Sequence, residues 1–109
     1  MEYNESAVEV ELSANFARWL EGLRDVEARE RINIRLRRMS LGNFGDSRYV
    51  GGKVSELRID YGPGYRVYFV RRGRDSVGII LGGVKGTQRR DIEQAQAMAV
   101  TIFCRSEQS

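Results

Sequence analysis

Two alternating runs flank Gly62-Pro63-Gly64, and this tripeptide constrains the fold more than any other part of the chain. Glycine reaches the positive φ that tight connections require, and proline presets the bend. Val54–Tyr61 and Tyr65–Arg72 are therefore predicted as antiparallel strands joined by a three-residue connection. Period-two alternation sorts their side chains. Leu57, Ile59, Tyr61, Tyr65, Val67 and Phe69 share an apolar face, while Arg58, Asp60, Arg66 and Tyr68 share the other. A regular register about Pro63 sets Asp60 opposite Arg66, Arg58 opposite Tyr68 and Ile59 opposite Val67.

The rest of the chain supplies cover for the apolar face. Val8, Val10 and Leu12 alternate with Glu9 and Glu11, predicting a first strand. Ser13 is placed to cap a helix carrying Phe16, Trp19, Leu20 and Leu23, which breaks at Gly22 to Asp25. Asp25 caps a second helix with apolar positions Ala28, Ile32, Leu36 and Met39. Arg31, Arg35 and Arg38 form a basic stripe on another face of that helix, a pattern usual for solvated surfaces. Leu41 to Lys53, with Gly42, Asn43, Gly45, Asp46, Gly51 and Gly52, reads as one long loop. Val77 to Val84 reads as the last strand, its glycines at 78, 82 and 83 pointing to a bulge or a close backbone approach. A terminal helix over Asp91 to Phe103, opened by Thr87 or Gln88, carries Ile92, Ala95, Ala99 and Ile102 on one side.

These elements predict a two-layer α+β domain, with a helical hairpin packed on a four-stranded, mainly antiparallel sheet and a C-terminal helix added. The 109 residues fit one domain, 1–109, with residues 1–7 expected to be disordered. The chain has no histidine, and Cys104 is its one cysteine, which excludes an intrachain disulfide, a Cys/His zinc site and a histidine-based triad. No metal and no cofactor is expected. No run approaches the ~20 apolar residues of a membrane span. Met1 to Leu12 carries four glutamates and no basic residue, unlike a secretory leader, so a cytoplasmic protein without membrane contact is expected.

Charge is concentrated in the middle of the sequence. Residues 49–90 hold nine basic side chains against three acidic ones, and 16 of the chain's 18 basic residues are arginine. The planar guanidinium fork suits phosphate better than an ammonium point charge. On the polar face of the hairpin, Arg58 and Arg66 can hold a phosphate, and Tyr68 offers a proton donor or a ring for base stacking. Lys85 arrives at the end of the neighbouring strand. The plainer alternative is a solvated outer face with an ordinary Asp60–Arg66 cross-strand pair. Gly82-Gly83-Val84-Lys85-Gly86-Thr87 departs from a nucleotide-triphosphate loop, which needs lysine directly between glycine and Ser or Thr.

Several blocks in fixed order carry a family resemblance. They are Gly42-Asn43-Phe44-Gly45-Asp46, Val54-Ser55-Glu56-Leu57-Arg58-Ile59, Tyr61 to Phe69, and Gly82 to Gln88 followed by Asp91-Ile92 and Ala95. From about Phe16 to Ala99 the chain resembles the addiction-module killer proteins of the RelE/ParE superfamily, HigB-like branch. The resemblance implies a RelE-like fold and the toxin of a type II toxin-antitoxin system. Its partner would be a cognate antitoxin, usually of helix-turn-helix type. It further implies cleavage of mRNA, generally on the ribosome, by activation of the ribose 2′-hydroxyl without a metal. Carried onto this chain, the catalytic set is Arg58, Arg66, Tyr68 and Lys85, with Arg48, Lys53, Arg89 and Arg90 as further RNA-binding cations. Guanidinium groups would stabilise the charge that develops on the phosphorane. Arginine stays protonated, so the proton acceptor is Tyr68, Lys85, Glu56 or Asp60. Two positions depart from the pattern, Val84 standing where relatives often carry an acid and Arg48-Tyr49 where they carry Lys-Pro. The superfamily also includes poisons of DNA gyrase, and an inactive relative that binds only antitoxin or nucleic acid is a third reading.

Overall fold

The computed structural model describes residues 7–102. Residues 1–6, Phe103 and Cys104 lie outside that range, and with them most of the segment expected to be disordered. The described chain runs β1 (Glu9–Leu12), α1 (Ala14–Glu21), α2 (Val26–Ser40), β2 (Ser47–Gly51), β3 (Val54–Ile59), β4 (Tyr65–Arg72), β5 (Ser76–Val84), a single 3-10 turn (Lys85–Thr87) and α3 (Gln88–Ile102). It is a mixed α+β fold with one open sheet in the order β1-β5-β4-β3-β2. β1 pairs parallel with β5, and every other pairing is antiparallel.

Both helix caps form where the sequence places them. Ser13 Oγ accepts from the Phe16 amide at 3.0 Å and donates to the Ile80 carbonyl at 2.7 Å, so one hydroxyl starts α1 and ties it to β5. Asp25 accepts from the Ala28 amide at 3.2 Å and starts α2. Phe16, Leu20, Ala28, Ile32, Leu36 and Met39 are then buried against Leu57, Ile59, Tyr65, Val67, Phe69, Val77 and Ile79. Each large apolar side chain so buried contributes about 1.5–3 kcal/mol before entropy is counted, which makes this interior the main support of the fold.

Three expectations are corrected. The sheet has five strands, because Ser47–Gly51 inside the supposed loop pairs with β3, with Arg48 opposite Glu56 and Tyr49 opposite Ser55. This short edge strand is hard to see in sequence, since it carries only Tyr49 and Val50 as apolar residues and returns through Gly51, Gly52 and Lys53, all at positive φ.

The second correction concerns layers. The sheet is covered on both faces: α1 and α2 lie on one, and α3 lies on the other over Val54, Tyr68, Val70 and Ile80 through Ala95 and Ala99. Val54, Tyr68, Val70 and Ile80 form an apolar area on that second face, so it needs cover.

The third is register. Arg58 faces Arg66, Leu57 faces Val67 and Ile59 faces Tyr65, a slip of two residues from the expected pairing. The chain leaves β3 two residues earlier than expected. Gly62 and Gly64 take φ of 58° and 84°, and the Gly64 amide donates to the Tyr61 carbonyl at 3.0 Å, so Asp60 and Tyr61 belong to the connection. A slip of two preserves parity, and the division of strand residues between faces stands. The expected Asp60–Arg66 pair is replaced by other partners.

β5 does carry a bulge, though at Ile80 rather than at a glycine, and its glycines admit side chains rather than another backbone. A bulge at Ile80 breaks its register with β4 between Tyr68 and Phe69. The Trp19 ring lies against Gly82, and the Asp91 carboxylate lies against Gly83, each in space that a Cβ would occupy.

Candidate functional site

On the α3 side of the sheet, Glu56 of β3 sits at the centre of a polar cluster. Its side chain is fully buried. Oε1 lies 3.4 Å from Arg48 Nε on β2, and Oε2 lies 3.8 Å from Arg66 Nε on β4. Oε2 also accepts from the Tyr68 hydroxyl at 3.2 Å and from Gln88 Nε2, at the start of α3, at 2.6 Å. Cross-strand register explains the convergence, because Arg48, Glu56 and Tyr68 occupy directly opposed positions on three neighbouring strands. A buried carboxylate without partners is costly, and here two guanidinium groups and two hydrogen-bond donors compensate it.

Arg66 is 8% exposed, and its Nε, although near Glu56, makes no hydrogen bond. Its Nη1 donates to the Tyr65 carbonyl at 3.3 Å. Tyr68 is fully buried beneath α3. Burial first, and then the charge and hydrogen bond of Glu56, push its hydroxyl far above the usual tyrosine range, so it remains a proton donor. In this arrangement Tyr68 offers no ring face for a base, which corrects the stacking role expected for it.

The other sequence-derived candidates fall in different places. Arg58 turns away from Arg66 to Asp46, with Nη2 3.0 Å from the carboxylate, and its carbonyl accepts from Arg35 at 2.7 Å. Lys85 is exposed in the 3-10 turn, and its amide donates to the Gly64 carbonyl at 2.8 Å. Gly64 stands between Lys85 and Arg66: a Cβ there would lie 3.3 Å from Lys85 Cβ and 3.6 Å from Arg66 Nη1. Lys53 occupies the β2–β3 turn, about 17 Å along the strand from Arg58 at the usual rise per residue. Its backbone amide donates to the Tyr49 hydroxyl at 3.2 Å. Arg90 is exposed beside Asp91, with 4.0 Å between Nε and the carboxylate. Asp60, one of the possible proton acceptors, is exposed in the β3–β4 connection, apart from the Glu56 cluster.

Arg48 and Arg89 meet across a groove of about 420 Å³, lined also by Gln88, Ile92, Glu93 and Gln96. The structure thus brings together Arg48, Arg66 and Tyr68 around Glu56, places Arg89 at the groove beside Arg48, and sets Lys85 next to Arg66. Arg58, Lys53 and Arg90 stand apart from Glu56. Sequence reasoning missed Gln88, Gln96 and Asp91. The spacing of Gln88 and Gln96, two helical turns apart on one face of α3, is the signal that could have found the first two.

Of the basic stripe of α2, Arg31 and Arg35 are engaged within the fold, while Arg38 is exposed. Arg31 bonds to Glu27 at 2.9 Å and lies 4.6 Å over the Tyr61 ring, and Arg35 is turned inward to backbone carbonyls, where burial lowers its pKa.

No helix among the described residues is long and apolar enough to cross a membrane. No family model matches the chain. It is 40% identical over 92 residues to an uncharacterized protein of Haemophilus influenzae, an alignment that covers 84% of this chain and 93% of that protein. Identity of that extent over nearly the whole of both sequences places the chain in the family of this Haemophilus influenzae protein.

Proposed function

We infer that this protein is the toxin of a type II toxin-antitoxin pair, with a RelE-like fold of the HigB-like branch, and that it cleaves single-stranded mRNA on the ribosome. The observation that carries the reading is the Glu56 carboxylate held between Arg48 and Arg66, at 3.4 and 3.8 Å. A carboxylate flanked by guanidinium groups supplies the two things that 2′-hydroxyl attack on a phosphodiester needs: a proton acceptor and fixed positive charge for the phosphorane.

In this mechanism Glu56 takes the 2′-hydroxyl proton as the 2′-oxygen bonds to phosphorus. Arg66 and Arg48 hold the equatorial oxygens. The bond to the 5′-oxygen breaks, and Lys85 protonates that leaving oxygen, which yields a 2′,3′-cyclic phosphate and a 5′-hydroxyl end. Glu56 is covered by the Gln88 amide, so the substrate must displace Gln88 to reach it. Tyr68 keeps Glu56 in place from below and touches no substrate. A cognate antitoxin rich in Asp and Glu fits the basic middle of the chain by charge.

Controlled induction with mapping of transcript 5′ ends tests this reading. Growth arrest with new 5′ ends in wild type, lost in Glu56→Gln and Arg66→Ala proteins that still fold, is the expected result. Arrest with intact transcripts, or new ends that persist in both variants, overturns it.

A further inference from the structure

We propose that the groove between β2 and α3 is a single-nucleotide subsite that selects a guanine base in single-stranded RNA. The proposal deepens the nuclease reading and rests on it for the identity of the polymer. The groove volume, about 420 Å³, lies within the range of small-ligand sites, and its half-buried Ile92 gives an apolar surface for a base.

The polar groups in it sort by sign. Gln96 Nε2 donates inward to the Val50 carbonyl at 3.1 Å. A carbonyl accepts only from the amide nitrogen, so this bond fixes the orientation of the side chain and leaves Oε1 as its free acceptor. Glu93, one helical turn earlier and exposed, presents a carboxylate with no ion-pair partner among the described residues. Gly52 lets the Gln96 stem lie against the β2–β3 turn, where a Cβ would approach Gln96 Cγ to 2.8 Å. The occupant must therefore bring hydrogen-bond donors to Gln96 and Glu93. Arg89, and Arg48 beyond its Glu56 contact, favour anionic or acceptor groups from the same molecule and disfavour a cationic one.

Guanine satisfies both demands. Its N1–H and N2 amino group are adjacent donors, its O6 is an acceptor suited to a guanidinium, and its phosphate answers the second arginine. Adenine and cytosine offer one amino group each, and uracil a single ring N–H.

The test is binding of the full chain to fluorescent 2′-O-methyl oligouridine carrying one central guanosine, adenosine or cytidine, since the blocked 2′-hydroxyl prevents cleavage. The guanosine strand should bind about tenfold more tightly than all-uridine. Gln96→Leu should reduce that preference to within about twofold. Exposed Glu93→Ala, which removes no packed side chain, should weaken it as well. Equal affinity for all four strands, or a guanosine preference unchanged in both variants, overturns the proposal. Transcript mapping separates this outcome from the nuclease reading. New 5′ ends without base-selective binding sink the subsite alone, and guanosine-selective binding without new ends sinks cleavage alone.

Discussion

The Tyr68 hydroxyl donates to Glu56 Oε2 at 3.2 Å, and both side chains are fully buried between the sheet and α3. Burial first, and then the charge and hydrogen bond of Glu56, make Tyr68 a reporter of pH. Its folded pKa is raised above the unfolded value of about 10, so the folded state keeps a proton that the unfolded state releases. Stability from this group is complete below pH 10 and falls above it, by about 1.4 kcal/mol per pH unit. Tyr68→Phe should cost about 1–3 kcal/mol at pH 8 through loss of a charged hydrogen bond. The deficit should narrow by pH 11, because the variant lacks the ionisable group. Urea denaturation at the two pH values measures both effects.

Removing Glu56 should be far more damaging than neutralising it. Glu56→Ala strips the compensating charge from buried Arg66 and leaves a cavity, and breaking a buried pair in this way costs about 3–5 kcal/mol. Glu56→Gln retains volume and acceptor capacity and should cost less. Melting temperatures of the two variants give the comparison.

The glycines of β5 and its exit should respond in opposite ways. Gly82→Ala drives a methyl into the Trp19 ring, and Gly83→Ala drives one into the Asp91 carboxylate. Each should destabilise by about 1–3 kcal/mol. At Gly86 nothing lies within 4 Å of the added carbon, and Gly86→Ala should stay within about 0.5 kcal/mol of wild type. Thermal unfolding of the three proteins decides the matter.

The two caps also differ in reach. Asp25→Ala removes both the Ala28 cap and the acceptor of the Tyr61 hydroxyl, 3.0 Å away. About 1 kcal/mol is expected from the cap. Loss of that acceptor also relieves the upward shift of the Tyr61 pKa, whose largest cause is this hydrogen bond. A lower-pH phase in the spectrophotometric tyrosine titration of Asp25→Ala would register it.

Local chemistry was legible in the sequence wherever one segment decides the outcome. Ser13 and Asp25 cap their helices, and Ala28, Ile32, Leu36 and Met39 are buried as their spacing requires. The register of β3 with β4 was misjudged, because Gly62 and Gly64 permit several connections and only pairing energy selects one. β2 was missed because an edge strand needs few apolar residues. Cover of the second face is not evident in the sequence, because Arg58, Asp60 and Arg66 make the hairpin look polar there, whereas the demand of Val54, Val70 and Ile80 for burial decides where α3 lies. The candidate site suffered from the same error. Arginines of like parity were expected to converge, whereas each goes to a carboxylate: Arg66 to Glu56 beneath α3, and Arg58 to Asp46 at the exposed end of the sheet.

The irregularity at Ile80 carries its own lesson. Tyr68 pairs with Leu81 and Phe69 with Ile79, so Ile80 is supernumerary: the strands on either side would close up in the same alignment without it. Excising that one position would keep Gly82 and Gly83 in phase, but it would remove a fully buried aliphatic group from beneath α3 and the carbonyl that accepts from Ser13. The sheet thus holds a position at which the pairing phase is relaxed, while burial beneath α3 and the bond from Ser13 keep it filled.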